Sequence, residues 1–355
     1  GRILHHFKAN LWKPETHVNG CNYPCLPYSF VALPHRTFFT SPYSLENAHW
    51  TTQQQEEIRQ RSAVVYGLGK LELCAAVRHK KPTPGKFVIG YVGTLNTSKL
   101  HPQFVDFCYA VLEKVPDARF VMVGDIVGSE VILKKATEYN IHDRFVFTGY
   151  STNITDELSS FDIFGYPLNP KHFGTTENAL LEAMAFGLPV VALNHNAEKY
   201  IIKEHNVVGL LADSIEHYAE CIAYLHDNPD ERARIGANAR EYVGRCFSFD
   251  RNVELMRTEL DAVARMPQKE FDFASIFGVQ PYECFLSCLG DDRPAFYGSL
   301  SSDTTVKPSN VVENAIRGCS QILKEKTKSS VQHFADTFPE DLTLQYWKNI
   351  LSSPV

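Results

Sequence analysis

Between residues 86 and 211 the chain alternates short, almost wholly apolar runs with longer stretches whose apolar residues recur at helical spacing. The runs 87–92, 119–123, 144–147, 162–166, 189–193 and 207–211 have strand length, and Gly93, Gly124, Gly149 and Pro167 follow four of them closely. Between the strands, residues 101–115 carry Phe104, Val105, Cys108, Val111 and Leu112 along one helical face. Residues 131–139, 154–161 and 176–186 read as further helices. Strands that are apolar on both faces and separated by helices predict a parallel sheet covered on both sides. Three more helices are predicted at 215–226, 230–245 and 249–265, the second preceded by Pro229, where a missing N–H costs little.

The flanks lack this regularity. Residues 1–60 are rich in aromatics, Pro and polar side chains and read as irregular, with a short strand at 36–40 and a short helix at 44–50. Ala63 to Tyr66 is a strand running into the turn Gly67-Leu68-Gly69, and Lys81-Pro82-Thr83-Pro84-Gly85 marks a linker. Residues 268–308 read as irregular, followed by helices at 311–326, 330–337 and 342–351. The expected organisation is an N-terminal segment at 1–85, an α/β domain at 86–265 and a mostly helical C-terminal extension at 266–355.

Composition changes this picture little. The chain has 355 residues, 44% hydrophobic and 21% charged, enough for two domains with cores of their own. Its formal net charge of −6 carries no basic field that would suit nucleic acid. No apolar run approaches the roughly 18 residues of a membrane-spanning helix. The first eight residues lack the apolar core of a signal peptide and read as a start within a longer protein. Nine cysteines without a secretory signal suit a reducing, cytoplasmic setting. The pairs Cys21/Cys25 and Cys284/Cys288 have a wider spacing than zinc sites usually use, so ordinary thiols are expected there and no metal site. His5, His6, His17 and His35 show no spacing that singles out a catalytic histidine.

Candidate chemistry concentrates in Phe173-Gly174-Thr175-Thr176-Glu177-Asn178-Ala179-Leu180-Leu181-Glu182-Ala183-Met184-Ala185-Phe186-Gly187-Leu188-Pro189-Val190-Val191. A glycine-containing loop opening a helix presents unpaired N–H groups at the positive end of the helix dipole, which suits a diphosphate. Glu182 lies about one and a half turns in, where a carboxylate can accept two vicinal hydroxyls. This run resembles the signature of retaining, GT4-like glycosyltransferases, in which a Glu-x7-Glu element precedes Ala-Met-Ala-x-Gly-x-Pro-Val-Val. The resemblance implies a GT-B fold and assigns Glu182 to the ribose of the donor nucleotide. The family's first Glu, which touches the donor sugar, falls on Gly174, and His172 and Glu177 are the nearby candidates to substitute. Gly93-Thr94-Leu95-Asn96-Thr97-Ser98-Lys99 resembles the family's phosphate loop, with Lys99 at the cationic position and Thr94 where an Arg stands. Another cation, or Asn96 and Ser98, are the candidates to compensate. Phe147-Thr148-Gly149-Tyr150 resembles the turn that packs on the nucleotide base, Gly124-Asp125 the turn after the second strand, and Glu198 occupies the usual acidic position after the Pro-Val-Val strand.

The resemblance spans residues 87 to about 262. It implies hexosyl transfer from a nucleotide diphosphate sugar, with retention, to a glycan, lipid-linked or protein acceptor. Lys99 and Glu182 are the expected catalytic groups. Gly93, Thr94, Asn96, Gly149, His172, Gly174, Thr175, Thr176 and Glu177 are expected around the donor. No cofactor or metal is expected, because Lys99 and the helix dipole would serve the diphosphate. A cytoplasmic location, with or without peripheral contact at the inner face of a membrane or with a partner protein, fits the same reading. The competing expectation is a catalytically incomplete module that binds a nucleotide or a protein; the short N-terminal part and the altered Arg and Glu positions favour it.

Overall fold

The computed structural model describes residues 2–7, 31–46, 50–67, 69–76, 86–97, 99–126, 128–172, 174–287, 289, 292–300, 310–319, 321–324 and 330–352. His17, Cys21, Cys25, Leu68, the linker 81–85, Ser98, Phe173 and Cys288 lie outside the described residues. The chain divides into two compact units. One comprises Phe39–Ser44 and Val64–Glu259; the other comprises Gly1–Phe38, Leu45–Ala63 and Leu260–Val355.

The first of these units, here called the α/β unit, is built on a six-stranded sheet. Its strands are β4 (Phe87–Val92), β5 (Ala118–Val123), β6 (Phe145–Gly149), β7 (Ile163–Tyr166), β8 (Val190–Leu193) and β9 (Leu210–Ala212). The order is β6-β5-β4-β7-β8-β9 and every pairing is parallel, with Phe87 opposite Ala118 and Ile89 opposite Ile163. Side chains on both faces are buried in β7 and β8, as a sheet covered by helices on both sides requires. The helices Phe104–Lys114, Asn178–Phe186, Ile215–Asp227 and Pro229–Cys246 supply the cover, and one continuous apolar core runs from Leu71 to Phe247.

The sixth strand falls later than its apolar run suggests. Asn206 adopts the left-handed conformation (φ 64°) and its N–H bonds to Gly209 O at 2.9 Å, so Val207 and Val208 belong to the turn. Gly124 is required where it stands. Its φ is 156°, and a Cβ there would lie 1.9 Å from the carbonyl oxygen of Gly93, so two strand ends meet backbone to backbone.

The other unit holds a three-stranded sheet of order β1 (Leu4–Phe7), β2 (Arg36–Phe39) and β3 (Ser62–Val64), except for the strand-end residues Phe39 and Val64. The nine-residue helix Thr52–Gln60 corrects the irregular reading of residues 1–60. Only Ile58 in it is buried, so no apolar period announces it. A capping box does: Gln54 N donates to Thr51 Oγ1 at 3.2 Å while Gln54 Oε1 accepts from Thr51 N at 2.9 Å. Residues 268–308 likewise contain three short helices, Phe273–Phe277, Pro281–Ser287 and Arg293–Tyr297, each too brief to show a period. The single helix expected over 311–326 is two, Asn310–Arg317 and Gln321–Lys324, divided at Gly318. With Val331–Thr337 and Leu342–Ser352 they enclose a second core of Phe285, Phe296, Ile316, Val331, Leu344 and Trp347. Among the described cysteines, Cys74, Cys108, Cys221 and Cys319 are buried free thiols, and Cys246 and Cys284 are half-buried free thiols.

Candidate functional site

In the α/β unit, β4 stands beside β7 with β5 and β8 beyond them, so the chain builds outward in opposite directions from this pair. Ligands of open α/β sheets bind outside the carboxyl ends of the strands at such a switch point. The loops after β4 and β7 meet there. Lys99 N and Leu100 N both donate to Asn96 O, at 3.0 and 2.9 Å, which folds the first loop back on itself. Tyr91 OH donates to Thr94 O at 3.0 Å and Gly93 N to Val123 O at 2.9 Å. Across to the second loop, His101 N reaches Pro167 O (3.1 Å), Asn169 N reaches Lys99 O (2.9 Å) and Asn169 Nδ2 reaches Thr97 O (2.5 Å).

This stitching brings together a buried polar group. Lys99 Nζ donates to Glu177 Oε2 at 2.5 Å, with the carboxylate 1% and the lysine side chain 16% exposed. Tyr166, at the end of β7, donates its hydroxyl to the same oxygen at 2.8 Å. Burial, with Glu177 beside it, holds the Tyr166 phenol well above its usual 10.0, so it remains a donor. Gly174 makes room for this arrangement. A Cβ on Gly174 would lie 2.2 Å from Glu177 Oε1, 2.8 Å from Lys99 Nζ and 3.0 Å from His172 Nδ1. The Glu177 carboxylate therefore stands where a side chain at position 174 would begin, beside His172.

A second layer lies behind it. Gly174 N donates to His172 Nδ1 at 3.0 Å, which places the ring proton of neutral His172 on Nε2, 3.2 Å from Glu198 Oε1. His195 Nδ1 lies 3.5 Å from the same Glu198 oxygen, and His195 Nε2 pairs with Leu168 O at 3.2 Å. Burial would raise the Glu198 carboxyl, but His172 and His195 beside it hold it below its usual 4.5. Three buried polar atoms of this group have no hydrogen-bond partner among the described residues: Glu177 Oε1, Glu198 Oε2 and His195 Nδ1.

The remaining candidates sit elsewhere in the unit. Thr175 Oγ1 pairs with Thr40 Oγ1 at 2.6 Å, and Thr176 Oγ1 donates to Thr40 O at 3.0 Å, so both hydroxyls anchor the Phe39–Ser44 segment. The Gly174 amide, expected to face a phosphate, is engaged by His172. Glu182 Oε1 accepts from Lys70 N at 2.8 Å, apart from the Lys99–Glu177 pair. Gly149 ends β6, two strands away from β4, with a φ of 77° and open space where a Cβ would point. Tyr166 and Thr40 were not singled out in the sequence. Tyr166 reads there only as the last apolar residue of a strand, and a lone polar tip on a buried strand end was its one signal.

Burial holds both His195 and His101 below the usual 6.5 in the folded chain. The unfolded chain therefore takes up more protons as pH falls through 6.5, and folding stability drops with it. The melting temperature should decrease between about pH 7.5 and pH 5.5. A flat or rising melting temperature over that interval would contradict the assignment.

A six-stranded parallel sheet, covered on both faces and carrying polar loops at its switch point, defines a Rossmann-like ligand-binding domain. Residues 76–242 match the family profile of glycosyl transferases group 1. A GDP-mannose-dependent alpha-(1-6)-phosphatidylinositol dimannoside mannosyltransferase of Mycobacterium tuberculosis is 28% identical over 195 residues, covering 54% of this chain and 48% of its own length. A human GDP-Man:Man(3)GlcNAc(2)-PP-Dol alpha-1,2-mannosyltransferase is 28% identical over 189 residues, covering 48% of this chain and 37% of its own. The chain thus spans about half the length, or less, of these relatives. Anabaena HepE, solved in complex with UDP, shares the fold with a TM-score of 0.57 at 19% identity, over 74% of this chain and 72% of that one. Among the described residues no helix is long and apolar enough to cross a membrane.

Proposed function

We propose that this chain is a hexosyltransferase that moves a sugar from a nucleotide diphosphate sugar to a glycan, lipid-linked or protein acceptor with retention of configuration. The observation that carries this reading is the buried Lys99–Glu177–Tyr166 group on the loops flanking the switch point. Lys99 supplies the cation for the departing diphosphate, exchanging Glu177 for phosphate oxygens as the donor arrives. Glu182 is half-buried, and its Oε2 is free of the Lys70 bond, so the carboxylate is available to ribose hydroxyls. The acceptor oxygen bonds to the anomeric carbon as the carbon–phosphate oxygen bond breaks, and its proton passes to the leaving diphosphate on the same face. The protein's contribution is positioning and charge stabilisation.

Calorimetric titration with GDP, UDP and ADP and their sugar conjugates tests it, beginning with GDP-mannose and UDP because relatives use or bind them. One nucleotide should bind saturably. Glu182→Ala should weaken it by about 1.5–3 kcal/mol, the worth of a hydrogen bond to a charged group, or roughly 10- to 150-fold. Unchanged affinity in Glu182→Ala would remove the ribose assignment. A binding module without catalysis is the second reading, and the pairing of Lys99 with Glu177 favours it, since that cation is already neutralised. Saturable binding without sugar transfer to any acceptor or to water would select it.

A further inference from the structure

We infer that His172, His195 and Glu198 form a binding site for one divalent transition-metal ion, with zinc as the best-suited ion. This site lies behind the Lys99–Glu177 pair and does not depend on the proposed transferase activity. The three side chains each offer a ligand atom, and these atoms all lie within 4.8 Å of one another. His172 Nε2 and His195 Nδ1 stand 3.2 and 3.5 Å from Glu198 Oε1. Zinc bonds of about 2.0–2.1 Å in a tetrahedron place neighbouring ligand atoms roughly 3.3–3.4 Å apart. Two histidines and one carboxylate are a donor set that zinc and iron(II) accept. His195 and Glu198 sit three residues apart, on the turn that opens the short helix Glu198–Ile201, and so reach the same point.

The unsatisfied atoms make the stronger argument. Glu198 is fully buried with Oε2 unpartnered among the described residues, and His195 Nδ1 is likewise buried and unpartnered. The carbonyl of Leu168 holds the proton of neutral His195 on Nε2, so the Nδ1 lone pair points at Glu198. A carbonyl on the far nitrogen is the usual outer partner of a metal-bound imidazole. A cation here would take the His195 Nδ1 lone pair together with Glu198 Oε1, and a carboxylate bound through both oxygens would use the orphaned Oε2 as well. The cation would also take the Nε2 lone pair of His172, whose proton then moves to Nδ1, 3.7 Å from Glu177 Oε1, the third orphan. The proton count does not change. The Gly174 amide gives up its acceptor, and Gly174 is only half-buried, so that N–H can turn to water.

The test uses the full chain, stripped with chelator and then dialysed against micromolar zinc. One equivalent of zinc should remain by elemental analysis. Cobalt(II) in its place should give the intense visible absorption of a four-coordinate site. Both signals should fall at least tenfold in His195→Gln and in Glu198→Gln. No retained zinc in the wild-type chain would overturn the inference, as would zinc held equally by both variants, which would place it on other histidines or cysteines. Should the variants not fold, long-range proton–nitrogen spectra of the wild-type chain decide. Zinc must convert one buried histidine from the Nε2–H to the Nδ1–H form, and unchanged buried histidines would refute the site.

Discussion

Lys99→Met should destabilise the α/β unit by about 3–5 kcal/mol, the loss expected when one partner of a buried ion pair is removed. Glu177 would keep only the Tyr166 hydroxyl on Oε2, with its other oxygen still unpartnered among the described residues. A carboxylate 1% exposed without its cation is charged at high cost, so in the variant it should hold a proton well above the ordinary carboxyl range. The sign follows from that. An acid whose folded pKa is raised stabilises the fold at low pH and loses that contribution as pH rises past its unfolded value of about 4.3. The gap between wild type and Lys99→Met should therefore widen from about pH 5 to pH 8 in urea unfolding. Lys99→Met combined with Glu177→Gln should recover most of the loss, because the orphaned charge is gone. A Lys99→Met chain within 1 kcal/mol of wild type at pH 8 would mean that the pair is solvated and weak, in the range of about 0–1 kcal/mol of surface pairs.

Much of the α/β unit was legible because its signals are local. An apolar run of four to six residues between helical periods states a buried parallel strand, and Gly124 and Gly149 end theirs as glycine after a strand should. The elements that escaped notice lacked a period to read. Thr52–Gln60 buries one side chain in nine, and its only sequence sign is the Thr51-x-x-Gln54 cap. Site residues were legible as residue types and loops, not as partners. Lys99 and Glu177 are 78 positions apart, and nothing local to either says that they meet. His172 and Glu198 are 26 apart and meet because β7 and β8 are adjacent. The motif also points Gly174 to Thr176 at a phosphate, whereas folding commits the Gly174 amide to His172 and both threonine hydroxyls to Thr40. Side-chain competition of that kind is decided by tertiary neighbours.

The C-terminal residues gave the sequence no function, yet they hold a core whose removal should be costly. Trp347 is fully buried, with its ring against Tyr282, Phe285 and Phe296 at centroid distances of 6.2, 5.7 and 5.2 Å. Its Nε1–H donates to Ser299 Oγ at 2.7 Å. Trp347→Ala leaves a cavity where the largest side chain of that cluster stood and strips a half-buried hydroxyl of its donor. A loss of about 3–5 kcal/mol is expected for a large aromatic truncated in a core. Trp347→Phe keeps most of the ring contacts and should lose clearly less, the difference reporting the Ser299 bond and the indole's extra volume. All these partners belong to the unit that contains Leu260–Val355, and the proposed donor-site residues Lys99, Glu177 and Glu182 belong to the other. Nucleotide affinity measured by calorimetry in Trp347→Ala should then stay within about twofold of wild type, while proteolysis of residues 281–352 accelerates steeply. Loss of affinity in parallel with that proteolysis would mean that the two units fold as one cooperative body, and the C-terminal helices would have to be counted as part of what holds the donor site in shape.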